Sequence, residues 1–348
     1  MIVGITYDLR EEYLAEGYDM EETAEFDKPE TIDAIESALR QEGFETERIG
    51  HVRNLMGRLA GGDRWDLVFN IAEGLRGFGR EAQVPCLLDA YDIPYTFSDP
   101  LVLSLTLHKG LCKRVIRDLD IPTPAFAIVA SEADVARVGL PFPLFVKPVA
   151  EGTGKGISAS SKVHDRRALA AACNELLARY RQPVLVETYL PGREFTAGII
   201  GTGKDGKVIG VMEIIFRDNA EKGAYSFFNK EHYEDVVEYR MVDDPMAVRA
   251  GQMALAVWQG FGCRDAGRVD LRADARGIPH VLEVNPLAGL NPEHSDLPIL
   301  CRKKGMTFRW LIDSIMQSAL TRMDRAPTLI TEDAGRVAGP DVPIGSPQ

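Results

Sequence analysis

Hydrophobic positions alternate between short continuous runs and helical stripes through the first hundred residues. Met1–Tyr7 is an apolar run, and Ile32, Ile35 and Leu39 make one stripe within Thr31–Leu39, with Gly43 as its C-terminal stop. Asp66–Ile71 is a second run, followed by a glycine-bearing loop and a helix through Leu87–Leu88. Alternating strand and helix predicts a small α/β domain with a parallel sheet. Beyond it, the pattern predicts a helix over Leu101–Arg117, a break at Pro122–Pro124, and a strand at Leu144–Val149. A glycine loop, a helix around Arg167–Tyr180 and a strand at Pro183–Glu187 follow. The region from Phe195 to Leu320 starts with two strands joined by the turn Thr202–Lys207. A loop (Phe216–Asp235), a helix (Met246–Phe261), a hairpin (Arg268–Leu271 with Val281–Asn285) and a closing helix (Phe308–Ala319) complete it.

Four segments result: 1–104, a substrate-facing α/β domain; 105–186, a central subdomain with the glycine loop; 187–325, a C-terminal subdomain; and 326–348, a Pro- and Gly-rich tail expected to be disordered. Charge narrows the partners. A net charge of −12 and 26% charged residues argue against nucleic acid, whose phosphates need clustered Lys and Arg. No run approaches the ~18 apolar residues of a membrane span. The N-terminus lacks the basic and cleavage regions of a signal peptide. Cys86, Cys112, Cys173, Cys263 and Cys301 form no CxxC pair, which suits reduced, packed thiols in a cytoplasm.

The C-terminal hairpin carries the densest chemistry. Residues two apart on a strand share a face, so Glu283 and Asn285 project together while Leu282 and Val284 point toward the core. Asp270, on the partner strand, can join them. Two carboxylates and an amide oxygen suit Mg²⁺ shared with phosphate, although a solvated acidic hairpin has the same pattern. Glu151–Gly156 directly follows the strand ending at Lys147-Pro148, and its glycines let backbone N–H groups approach phosphate. It matches neither GxxxxGK(S/T) nor a dinucleotide fingerprint, and a plain hairpin turn remains open. Val184–Phe195 runs from an apolar strand to Glu187 and, seven residues on, Glu194. Its backbone can read a base edge and its carboxylates can hold ribose, or it is a surface loop.

Taken in order, these motifs strongly resemble the ATP-grasp fold and, within it, the D-alanine–D-alanine ligase family, over roughly residues 65 to 320. The anchors are DIPYTFSDPLVLSLTLHKGLCK, PLFVKPVAEGTGKGIS, VLVETYLPGREFT and GRVDLR…HVLEVNPLAGLNPEHSDLP. The resemblance implies an α/β (α+β) fold in which an N-terminal parallel domain precedes two α+β subdomains that clasp ATP. It places Lys109, Lys147 and the loop Glu151, Gly152, Thr153, Gly154 and Gly156 on phosphate. Glu187 and the backbone of Thr188, Tyr189 and Leu190 would read adenine, Leu282 would also bind ATP, Glu194 would hold ribose, and Lys230 would be the lid lysine. Asp270, Glu283 and Asn285 would bind two Mg²⁺ ions, with Mn²⁺ as a substitute.

The implied reaction joins a small-molecule carboxylate to an amine through an acyl phosphate. Arg268 and the Gly289 N–H match the family's oxyanion donors, with Thr153 at its substrate-facing serine. Arg268 could equally be a cross-strand partner for an acid. Asn291 and Ser295 fall near the second substrate's carboxylate. Departures gather at the first-substrate site. The family's glycine–serine loop and its glutamate are not visible near the N-terminus; Glu11, Glu12, Glu16, Glu21 or Glu22 could substitute, but read better as a solvated acidic helix. The HGxxGEDG segment is replaced by residues 72–82, with Glu73 where the histidine stands and Arg76 and Arg80 added. The lid tyrosine is Glu231. The added arginines suit an extra acidic group on the substrate or an ordinary surface. The expectation is therefore a ligase with altered first-substrate specificity. The alternatives are an authentic D-alanine–D-alanine ligase, a small-molecule kinase on this fold, or a nucleotide-binding protein without turnover. The family also implies a homodimer.

Overall fold

A computed structural model describes residues 1–216 and 236–324. Three sheets organise them. The first is parallel, with β1 (Ile2–Thr6) central between β2 (Glu45–Gly50) and β3 (Leu67–Asn70). β1 and β3 are continuous apolar runs because helices and loops cover both faces.

The second sheet contains β4 (Phe126–Val129), β5 (Leu144–Pro148), β6 (Lys162–Val163) and β7 (Val184–Thr188), in the antiparallel order β4-β7-β5-β6. Helix Arg166–Tyr180 packs Leu169, Cys173 and Leu176 beneath it. The third contains β8 (Glu194–Ile200), β9 (Lys207–Phe216), β10 (Val237–Val242), β11 (Ala266–Ala273) and β12 (Pro279–Asn285), in the order β10-β9-β8-β11-β12. Helix Pro245–Phe261 covers one face with Ala254, Val257 and Trp258; helix Asp296–Lys303 covers part of the other, and the rest faces the cleft.

The core does not follow chain order. The final helix, Phe308–Asp324, sets Ile312, Ile315 and Met316 against Ile32, Ile35 and Leu39 of the helix Pro29–Gln41. Gly43 has φ +89, as the expected stop requires.

Two expectations need correction. The helix expected over Leu101–Arg117 is two, Pro100–Leu107 and Lys109–Asp118, broken at His108. His108 leaves helical geometry and its Nδ1 caps the second helix by accepting from Leu111 N. Lys109 thereby starts a helix, directly beside the cleft. Leu282 does not join the core. A bulge pairs Asp270 with Glu283 but Leu271 with Val281, so Leu282 turns to the cleft wall beside Glu283. Strands β2, β4 and β10 add to the expected elements: β2 and β4 lack alternation, whereas β10 alternates Val237, Tyr239 and Met241 with Glu238 and Arg240. Cys86 is exposed while the other four cysteines are buried. The 326–348 tail, Lys230 and Glu231 lie outside the described residues.

Candidate active site

Between the two antiparallel sheets lies a cleft. On β11, alternation places Arg268, Asp270 and Arg272 on one face while Val269 and Leu271 are fully buried. Antiparallel pairing then sets Thr196 and Glu283 on either side of Asp270, and Asn285 opposite Arg268. Asp270 accepts from Thr196 Oγ1 at 2.8 Å and from Asn285 Nδ2 at 3.0 Å, and it pairs with Arg268. Burial raises its carboxyl above the usual range; Arg268 opposes this and Glu283 adds to it. Two facing carboxylates with an amide between two sheets fit a hard divalent cation, which would offset their repulsion. Among the described residues no group of three or more His, Cys, Asp or Glu forms a metal site, so this pair with Asn285 leaves further positions of such an ion to water or a ligand.

The opposite wall comes from β5 and β7. Lys147 lies 3.2 Å from Glu187, and Lys113 lies 2.8 Å from the other oxygen of the same carboxylate. Burial opposes the charged Glu187, but the two ammoniums outweigh it and lower its pKa. Lys109 donates to the Glu151 carbonyl at 2.6 Å and lies 3.4 Å from Glu283, linking the loop to the carboxylate hairpin. Thr188, Tyr189, Leu190 and Leu282 line the cleft beside Glu194. Burial raises the pKa of Glu194, and Arg272, 3.1 Å away, opposes that shift.

The loop crosses between this cleft and a second cavity. Glu151, Gly152, Thr153 and Gly154 line the cleft, whereas Gly156 (φ +71) packs against Pro148 and the Tyr180 ring, away from it. Thr153 itself has φ +52, an uncommon conformation for a β-branched residue. The second cavity is lined by Glu73, Thr153, Arg268, Gly289, Asn291 and Ser295, among others. Ser295 Oγ accepts from Asn291 N at 3.0 Å, fixing that loop against Gly289.

Several lining residues were not found by reading the chain. Glu25, Asp27 and Glu81 face the second cavity. Burial raises the carboxyls of Asp27 and Glu81 to about 7 and pushes Glu73 up as well. Arg80, by contrast, is not on the cavity wall: it pairs with Glu25 at 2.9 Å and donates to the Ala150 carbonyl at 2.8 Å. Arg76 is exposed. The strand alternation of Arg268 and Asp270 could have exposed Arg272; no local pattern marks Glu25 or Lys113.

Two antiparallel sheets holding a cleft between lysines and a carboxylate hairpin define an ATP-grasp protein. A family model described as "D-ala D-ala ligase C-terminus" matches residues 115–317. The D-alanine–D-alanine ligase of Aquifex aeolicus is 31% identical over 285 residues, 81% of this chain and 92% of that one. The ATP-complexed D-alanine–D-alanine ligase from Bacillus anthracis superposes with a TM-score of 0.70 at 23% identity, covering 92% of this chain and 98% of that one. VanG D-Ala:D-Ser ligase from Enterococcus faecalis gives 0.70 at 18% identity, covering 91% and 99%. The chain belongs to the D-alanine–D-alanine ligase family and is an ATP-grasp ligase. No helix among the described residues is long and apolar enough to cross a membrane.

Proposed function

We propose that the protein uses ATP to join a small carboxylic acid to an amine, through an acyl phosphate, with a first substrate other than D-alanine. The observation that carries this reading is the contrast between the two cavities. The nucleotide cleft keeps the lysines, Glu187, Glu194 and the carboxylate hairpin, whereas the neighbouring cavity is lined by Glu73 and Glu81, from the segment 72–82 that stands in place of the family's histidine segment, and by Asp27.

In this reading Lys109 and Lys147 contact phosphates, with the loop Glu151 to Gly154 over them. The wall Thr188, Tyr189, Leu190 and Leu282 encloses adenine beside Glu187, and Glu194 meets the ribose. Asp270, Glu283 and Asn285 would hold Mg²⁺, which offsets charge on the transferring phosphoryl group. Arg268, whose guanidinium is fixed by Asp270, and the Gly289 N–H face the same space as Thr153 and stabilise the oxyanion that forms when the amine attacks. Asn291 and Ser295 orient the amine substrate's carboxylate. Glu73 meets the first substrate. Arg80 holds the loop rather than a substrate acid, because its charge is already paired with Glu25.

The test is phosphate release from Mg-ATP across pairs of D- and L-amino acids and small carboxylates, with products identified by mass spectrometry. Release that requires an amine, with an amide product not containing D-alanine as the acid, supports the proposal. D-alanyl-D-alanine from D-alanine alone, or phosphate transfer without amide, would replace it.

A further inference from the structure

The segment between the first strand and the helix Pro29–Gln41 crosses onto the central sheet's glycine loop. Arg10 pins its base, donating to the carbonyls of Thr23 at 3.2 Å and Ala24 at 2.7 Å. From there Glu21 reaches the end of the helix Arg166–Tyr180, accepting from the Tyr180 hydroxyl at 2.5 Å and pairing with Arg179. Glu25 reaches the loop itself. Its carboxylate accepts from Gly152 N at 2.6 Å and lies 3.3 Å from Lys155 and 2.9 Å from Arg80.

These groups are largely shielded from water, with the Glu25, Arg80 and Lys155 side chains 7%, 6% and 8% exposed. Burial works against the charged carboxylate, yet Arg80 and Lys155 hold it at about 2, so it stays ionised. Lys155 is also held at 2.6 Å by Glu151, which in turn accepts from Gln182 Nε2 at 2.6 Å. A Cβ at Gly152 would sit 2.7 Å from Glu25 Oε1, so a side chain there would displace this carboxylate. Thus one carboxylate, carried 127 positions along the chain from its partner, fixes the loop from the side opposite the nucleotide cleft.

We propose that Glu25 is a positioning residue for nucleotide: with Lys155 and Arg80 it bolts the glycine loop in its cleft-lining position, and the N-terminal segment thereby sets how long the nucleotide is retained. The proposal rests on the nucleotide reading of the cleft. Glu25 does not touch the nucleotide in this arrangement; it acts through Gly152 and Lys155. Replacing Glu25 with Gln keeps an oxygen for Gly152 N but removes the counter-charge of the buried Arg80 and leaves Lys155 with Glu151 alone.

The test is calorimetric binding and stopped-flow dissociation of a β,γ-imido ATP analogue with Mg²⁺, on the full chain and without other substrates. E25Q and K155Q are each expected to weaken binding roughly tenfold, mainly through faster dissociation, and the double variant to be no weaker than either alone, as coupled partners require. E25D is expected to recover part of the loss. A merely structural role would lower the melting temperature without this non-additivity. Wild-type affinity in folded E25Q and K155Q, additive losses, or tighter binding by E25Q would overturn the proposal. If E25Q does not fold, R80Q, altered at the Glu25 partner that lines neither cavity, decides. Absence of binding by the wild-type chain would instead remove the nucleotide reading.

Discussion

The Lys113 ammonium, fully buried, lies 2.8 Å from the Glu187 carboxylate and donates to Thr123 Oγ1 at 3.0 Å. Thr123 passes the contact on to the Val281 carbonyl at 2.8 Å, so the base-side carboxylate is tied to the hairpin that carries Glu283. Removing one member of a buried pair leaves the other charge uncompensated, at about 3–5 kcal/mol. Lys113→Met is therefore expected to lower folding stability by that order, read as a shift in the denaturant midpoint, and Lys113→Arg by less. An unchanged midpoint would mean that Lys147 alone satisfies Glu187.

Arg268 and Asp270 separate chemistry from nucleotide binding. Arg268→Ala is expected to lower kcat about 10²–10³-fold, the range for losing one oxyanion donor. Affinity for the ATP analogue should stay within a few-fold of the wild type. Parallel losses in both would place Arg268 in nucleotide binding instead.

Glu283 faces Asp270 across the hairpin and raises its carboxyl, after burial and against Arg268. Glu283→Gln removes that repulsion and one hard ligand oxygen together. The ligand-free variant is expected to melt close to the wild type. The stabilisation that Mg²⁺ with the ATP analogue gives should disappear, and turnover should fall at least about a hundredfold. Retained Mg²⁺-dependent stabilisation would argue against the metal assignment.

Asp27 gives the pH dependence. Burial, followed by the charge of Asp8, raises its carboxyl to about 7 in the folded chain, against about 3.9 when unfolded. The folded state therefore binds the proton more tightly, and this contribution to stability is complete below about pH 4 and lost as pH rises through about 7. Glu81 shifts in the same direction, while Glu25, held at about 2, loses its contribution only in acid. The melting temperature of the ligand-free chain should fall between about pH 5 and pH 8. Asp27→Asn should flatten that slope; a slope unchanged in the variant would show that Asp27 titrates normally.

The sequence by itself determined the parts whose signal is local. Alternation placed Glu283 and Asn285 on one strand face with Asp270 on the partner strand, and glycine spacing after Lys147 located the loop. Together with Glu187 and Glu194 in order, these were enough to resemble the family. Tertiary structure decided what local pattern cannot encode. Whether Leu282 faces core or cleft depends on a bulge set by pairing between β11 and β12. Whether Arg80 meets substrate or neutralises an acid depends on Glu25, 55 positions away, and Glu25 reaches Gly152 across 127 positions. Buried ion pairs of this kind join charges by proximity in the folded chain. Side-chain periodicity reports only which face of an element is wet, so Lys113 and Glu25 looked like any other charged residue until the sheets were brought together.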